Sequence, residues 1–309
     1  MNHKSFVFFD CECANNFDGV GKICSLGYVV ADDELNVLES EDVVINPECE
    51  FDWYLFSGKG GCQLAYSKDY FRIKPNWASY YKEIKKLFTT GNRYVLGFAV
   101  GNDVGFVNSA CSRYNEDFIN FRAFDIEPLL AQIYGEKHKL GEWAEKLGVN
   151  VAKFQSHKSV DDAMMTLLCL KKVCIDKDIS VENLLMEHKD LFVSSEQMLI
   201  QQEERAYRKE VMEKVKRLYG KTSPKPKYKR LIGECFELDD KIFKKDVDAG
   251  FALVKAVYEN GGTCYEHLTQ KGTVVFYEEP SEQVLAKIKT RGLKSVLLEK
   301  ILDDLEVVY

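Results

Sequence analysis

No apolar run in the 309 residues approaches the roughly 20 needed to cross a bilayer as a helix, which argues against a membrane-spanning segment. The Phe-rich stretch at 6–9 is too short for a signal peptide and closes on acids. None of the ten cysteines stands in a C-x-x-C pair, and several lie in apolar segments where a small thiol packs well, a pattern of reduced cysteines in a cytoplasmic protein. A phosphate-cradling loop is also missing. Around Ser57-Gly58-Lys59-Gly60-Gly61 there is no glycine five before Gly58, no Ser or Thr after Lys59 and no preceding strand, so the stretch reads as a surface loop. Net positive charge is lacking too: at -7 the chain is no generic binder of polyanions.

That average hides an asymmetry. Between Arg205 and Arg230 stand eleven Lys or Arg against Glu210 and Glu213, a segment of +9 that leaves -16 for the remainder. The length and a hydrophobic content of 46% are enough for a sizeable core and for two domains.

Phe6-Val7-Phe8-Phe9-Asp10-Cys11-Glu12 organises the rest. Four consecutive apolar residues followed by Asn15, Asn16 and Gly19 read as a short buried strand. Residues i and i+2 share a face of a strand, so Asp10 and Glu12 project together while Cys11 points away. Two readings stand for this pair: solvated acids at a strand end, or a repelling carboxylate pair that a hard divalent ion holds together.

Further strands are expected at 23–31 and 36–45, joined by Asp32-Asp33-Glu34 into an antiparallel meander. Residues 47–75 are irregular and aromatic, with Phe51, Trp53, Tyr54, Phe56, Tyr66, Tyr70 and Phe71; these rings either cover their own loop or stack an unpaired base. A helix over 76–88, a strand over 94–99 and a helix from near Asn102 follow, which places Asp103 at a helix start. Strand 121–124 leads into Asp125, suited to cap a helix over 126–134. An amphipathic helix at 140–147 ends at Gly148, and Ser156-His157-Lys158-Ser159-Val160-Asp161-Asp162-Ala163 opens a long apolar helix to about Val173. Three antiparallel strands, then strands alternating with helices, make a mixed sheet flanked by helices.

Asp10-Cys11-Glu12 resembles the first motif, D-x-E, of the DEDDh 3'-to-5' exonucleases, the superfamily of RNase T and of the epsilon subunit of DNA polymerase III. Gly97-Phe98-Ala99-Val100-Gly101-Asn102-Asp103 is similar to their second motif, G-H-N-x-x-F-D; the final Asp matches, while Phe98, Ala99 and Asn102 replace His, Asn and Phe. His157 through Asp162, with Ala163 next, matches the third motif, H-x4-D. After Glu12 the family commonly continues Thr-Thr-Gly or Ala-Thr-Gly, whereas here Cys13-Ala14-Asn15 follows.

The resemblance implies an α/β, ribonuclease-H-like fold over residues 1–185. It also implies a cage of Asp10, Glu12, Asp103 and Asp162 for two divalent cations, Mg or Mn, with His157 as general base. Two such ions about 4 Å apart supply a hydroxide near neutral pH and stabilise the leaving 3' oxygen. An imidazole, with an ordinary pKa of about 6.5, is suited to take the proton of the attacking water. The substrate implied is a DNA or RNA 3' end, single-stranded. On the residues alone, His157 also reads as a surface or capping histidine, and Asp161 is the rival of Asp162, with helix-dipole stabilisation as its other role. His138 reads as a solvated residue between helices.

Residues 186–228 are expected to form a charged helix from Ser194 or Ser195 to Tyr219, then a linker around Ser223-Pro224-Lys225-Pro226. Arg205, Arg208, Lys209, Lys216 and Arg217 either contact a nucleic-acid backbone or solvate a helix that spaces two domains. Over 229–309, strand 235–238, helix 246–258, Gly261-Gly262, strands 263–266 and 273–277, helix 281–290, strand 293–296 and a final helix resemble a small α/β BRCT domain. The Trp common in its last helix is absent. Asp239 and Asp240 stand where phosphopeptide-binding members carry Ser or Thr, with Lys287 and Lys289 on the second helix, which argues against phosphopeptide recognition and leaves a protein or DNA-end partner open. The rival to an enzyme is a non-catalytic nucleic-acid or protein scaffold on the same fold. A like-charged carboxylate cluster facing a polyanion argues against it.

Overall fold

The apolar run at the start of the chain is β1 (Ser5–Cys13), with Phe6, Val7, Phe8 and Phe9 fully buried. The computed structural model describes residues 4–17, 20–57, 63–269 and 271–307, so Gly58, Lys59, Gly60 and Gly61 of the expected loop lie outside the described residues. Two compact units emerge, Met1–Gln202 and Glu203–Tyr309; the division falls between the positions 185 and 229 that the sequence suggested.

In the first unit β1 pairs antiparallel with β2 (Ile23–Ala31), and β2 antiparallel with β3 (Val37–Val44), the expected meander. The turn between β2 and β3 is shaped by the Asp32 carboxylate, which accepts from the amides of Glu34 (3.0 Å) and Asn36 (2.7 Å). On the other side of β1, β4 (Arg93–Gly97) and then β5 (Arg122–Asp125) run parallel to it, and β6 (Phe192–Ser194) pairs antiparallel with β5. The sheet order is β3-β2-β1-β4-β5-β6, the mixed sheet expected.

The helices in this unit are α1 (Lys68–Arg72), α2 (Trp77–Thr89), α3 (Gly101–Arg113), α4 (Ile126–Tyr134), α5 (Leu140–Lys146), α6 (Ser159–Lys177) and α7 (Val181–Glu187). The two-residue period of β1 sorts them. Val7, Phe9 and Cys11 pack with Trp77, Tyr81 and Ile84 of α2 and Val104 and Val107 of α3. Phe6 and Phe8 pack with Leu129 of α4, Trp143 of α5 and Ala163 and Leu167 of α6. The even-numbered face, which continues into Asp10 and Glu12, is therefore the face that α6 covers.

The aromatic segment builds a small core of its own: Phe51, Leu55, Leu64 and Phe71 bury themselves against Ala14, Cys24 and Val44, with the Phe51 and Phe71 rings 5.3 Å apart. Trp53 stays outside it, 73% exposed.

From α8 (Ser195–Leu218), residues 203 onward belong to the second unit, where Val211 and Val215 join the core. Of the two serines expected to cap this helix, Ser194 accepts from the Gln197 amide at 3.4 Å. Ser195 is fully buried and bonds instead to the backbone of Ile119 and Phe121. The second unit continues with β7 (Cys235–Leu238), α9 (Asp240–Lys245), α10 (Val247–Glu259), β8 (Thr263–Tyr265), β9 (Thr273–Phe276), α11 (Glu282–Thr290), β10 (Lys294–Leu297) and α12 (Leu298–Asp304). Its four strands are all parallel, in the order β10-β9-β7-β8. One face packs on α8, α10 and α12, and the other on Ile288 of α11. No helix among the described residues is long and apolar enough to cross a membrane.

Candidate active site

Three sequence segments converge where β1 ends. β4 pairs only with Ser5–Phe8, so the amide of Cys11 lies beyond that ladder and needs another acceptor. Asp103 supplies it: the third residue of α3, only 5% exposed, it takes the Cys11 amide on Oδ1 at 3.1 Å. The second motif thus reaches the first through the backbone at the strand end.

The third segment arrives on α6. Gly27 on β2 stands against the first turn of α6; a Cβ there would sit 2.5 Å from the carbonyl oxygen of Ser159 and closer still to its carbon and to Val160 N. The hydroxyls of Ser25 and Ser159 meet beside it. This close seat places Asp162, in the first turn of α6, over the even-numbered face of β1. His157 precedes the helix with φ +60°, a left-handed conformation that costs a non-glycine residue about 1 kcal/mol or more. Its surroundings hold it there: the His157 amide donates to Asp162 Oδ2 (3.0 Å), and its carbonyl accepts from Ala65 of the aromatic segment (3.3 Å).

The result is a cluster in which Glu12, His157 and Asp162 each offer a ligand atom within 4.8 Å of the others. His157 Nδ1 lies 3.2 Å from Glu12 Oε1. Asp161, the rival of Asp162, turns away: it accepts from the Gln155 amide (2.9 Å) and pairs with Lys158 (3.3 Å). His138 is elsewhere, 2.8 Å from Glu136 and edge-on to Trp143.

Electrostatics tie Asp10 and Asp103 to the same cluster. Burial, then the charges of Asp103, Asp162 and Glu12, push the Asp10 carboxyl well above the ordinary carboxylate range. Burial and the charge of Glu12 do the same to Asp103, opposed by the Cys11 amide. Asp162 is pushed up to about 7, again by burial and by Glu12, against the opposing effect of His157. Carboxyls so arranged keep protons near neutrality unless a cation replaces them. Oxygen donors with one imidazole, crowded until their charges repel, fit a divalent metal ion.

Two positions that contribute here belong to none of the three motifs. Gly27 sets the approach of α6, and an isolated glycine inside a strand is itself a sign of close backbone contact. Asp125 caps α4 as expected, accepting from the Glu127 amide (3.1 Å), but the same oxygen also takes the Ala99 amide (2.9 Å). The basic side chains of Arg205, Arg208, Lys209, Lys216 and Arg217 are all exposed on α8 in the second unit, and Arg208 donates to the carbonyl of Lys244 (3.0 Å).

No curated protein sequence matches the chain. Among solved structures, exonuclease I, in a study of how processivity is achieved, is similar at 18% identity with a TM-score of 0.48, covering 60% of this chain and 43% of its own. A 3'-exonuclease that recognises the 3' end of the histone mRNA stem-loop is similar at 16% identity, TM-score 0.47, covering 57% of this chain and 82% of its own. E. coli exonuclease I in complex with a dA16 oligonucleotide gives 18% identity, TM-score 0.47, and coverage of 60% and 42%. The chain thus spans less than half the length of exonuclease I. The RNase_T exonuclease family model matches residues 7–170, more than half of the sequence, from the strand that carries Asp10 and Glu12 into the helix that carries Asp162. By that match the chain belongs to this exonuclease family.

Proposed function

We propose that the protein is a metal-dependent 3'-to-5' exonuclease acting on single-stranded DNA or RNA ends, with Asp10, Glu12, Asp103 and Asp162 holding two Mg or Mn ions. The observation that carries the reading is the meeting of Glu12, His157 and Asp162 within 4.8 Å, from segments 145 residues apart in sequence. When bound, the cations lower the pKa of water and neutralise charge on the phosphate and on the leaving oxygen.

The chain's own residues do the rest. Glu12 accepts the Nδ1 proton of His157, which leaves the lone pair of the ring on Nε2. Nε2 takes a proton from water as its oxygen attacks the terminal phosphorus. The bond from phosphorus to the 3' oxygen of the preceding nucleotide breaks, and a nucleoside 5'-monophosphate leaves. Asp103, anchored on the Cys11 amide, and Asp162, anchored on the His157 amide, are held before substrate arrives.

The second unit reads as a BRCT-like docking module for a protein or a DNA end. Its support is the parallel sheet in which the first strand of the unit lies between the second and the third, with helices on both faces. The exposed cations on α8 read as contacts to a phosphate backbone, Arg208 being shared with the carbonyl of Lys244.

The test uses 5'-labelled DNA and RNA oligonucleotides with Mg2+ or Mn2+, with and without EDTA. Stepwise shortening that EDTA abolishes is expected, and the two substrates give the sugar preference. Intact oligonucleotide under every condition, or immediate release of the label as a mononucleotide, overturns the reading.

A further inference from the structure

The turn between β4 and α3 has to deliver Asp103, yet little within it accounts for its shape. Ala99 has φ +55°, a left-handed conformation that asparagine and glycine tolerate and alanine resists. Val100, at the N-cap of α3, makes no side-chain cap. Three consecutive features therefore work against order: a strained residue, an uncapped helix and a buried acid three residues into that helix.

An anchor comes from the neighbouring strand. Asp125 closes β5 directly opposite Gly97, the last residue of β4. Its Oδ1 takes the Ala99 amide at 2.9 Å and the Glu127 amide at 3.1 Å. Helix capping alone explains the second bond. The first spans 26 residues of sequence and lands on the one left-handed residue of the turn. From Ala99 the path to the site is short: Val100 is fully buried, its carbonyl accepts from Val104 to start α3, and Asp103 on that first turn meets Cys11 N.

We propose that Asp125 is a positioning residue for the metal site: by holding the Ala99 amide it fixes the turn that sets Asp103 at the end of β1. The inference rests on the reading of Asp103 as a metal ligand. Without the carboxylate, the Ala99 amide loses its acceptor, the backbone relaxes out of the left-handed region, and the first turn of α3 shifts away from Cys11.

The experiment is a calorimetric titration of the full chain with Mn2+, a readout independent of turnover, backed by oligonucleotide hydrolysis. Asp125→Ala is expected to weaken Mn2+ binding about 10- to 100-fold, as loss of outer supports of metal ligands commonly does, and to lower kcat while KM for the oligonucleotide stays near its starting value. Asp125→Asn keeps an acceptor oxygen in place and should restore Mn2+ affinity. Adding Ala99→Gly to Asp125→Ala should recover part of the loss, because glycine holds φ +55° without strain. Should Asp125→Ala fail to fold, Asp125→Ser decides: serine caps α4, but its hydroxyl is one bond shorter toward Ala99, so a folded protein with weakened Mn2+ binding is expected. A folded Ala or Ser variant that binds Mn2+ as tightly as the natural protein overturns the inference, as does an Asn variant as impaired as Ala. A natural protein that binds no Mn2+ overturns the reading of the metal site instead.

Discussion

Gly27→Ala is the sharpest perturbation of the site, because it adds one uncharged methyl group opposite Asp10 and leaves every candidate ligand in the sequence. The added Cβ would stand 2.5 Å from the carbonyl oxygen of Ser159, and nearer still to Ser159 C and Val160 N. All three are backbone atoms, so no rotamer change relieves the clash. Carbon contacts settle near 3.5 Å, which requires the first turn of α6 to retreat by roughly 1.5 Å. Overpacking of this kind costs about 1–3 kcal/mol, and Asp162 moves with the turn that carries it. A displacement of about 1 Å at a reacting group lowers turnover on the order of 100-fold. The assay pairs a thermal melt with release of mononucleotide from a labelled oligonucleotide. A variant that melts at the natural temperature and cleaves at the natural rate would refute the argument that contact between β2 and α6 positions Asp162.

Asp10→Asn removes a proposed metal ligand without changing shape, so nucleotide release should fall by at least about 1,000-fold while the cation-free protein, in which burial and acidic neighbours keep the Asp10 carboxyl protonated, melts at the same temperature or higher; a lower melting temperature would show that the carboxyl itself stabilises the cation-free fold. His157→Ala should slow turnover about 100- to 10,000-fold, the usual worth of a general base, with Mn2+ affinity nearly kept, and an unchanged rate would exclude the imidazole from proton transfer. The pH dependence of stability follows from Asp162, whose folded pKa of about 7 lies above the ordinary 3.8. The folded chain binds that proton more tightly than the unfolded one, so cation-free stability is highest at low pH and falls as pH rises from about 4 to about 7. Added Mg2+ or Mn2+ should oppose that fall, with a gain in melting temperature that grows with pH; a gain that shrinks with pH would contradict the carboxylate cage.

The strands and helices around the site were legible because local pattern and tertiary demand agree there. Phe6 to Phe9 is buried on both sides, α2 at 77–89 lies within a residue of where periodicity and caps put it, and α6 starts inside the expected 156–163 stretch but runs to Lys177, four residues past the expected end. β6 was not legible: Phe192, Val193 and Ser194 are too few to show a period, and pairing with Arg122–Phe124 is what makes them a strand. Nor was the inward edge of α8, since Val211 and Val215 are two apolar residues in a run of charges. Within the site, the sequence placed Asp10 and Glu12 on one face and put His157 before a helix carrying Asp162. Its choice between Asp161 and Asp162 needed the family spacing, because both begin the same helix. The second bond of Asp125 joins residues 26 apart through a loop conformation that no local pattern encodes.

The attachment of Asp103 to the main chain of β1 has a consequence for how the D-x-E signature tolerates change. The oxygen grips an amide hydrogen, not the thiol of Cys11, which points into the apolar layer beneath. Alanine, valine or serine at position 11 would offer the same grip, so a thiol-free variant for labelling or crystallography is open to the experimenter at this spot. Proline alone is barred, having no hydrogen to give.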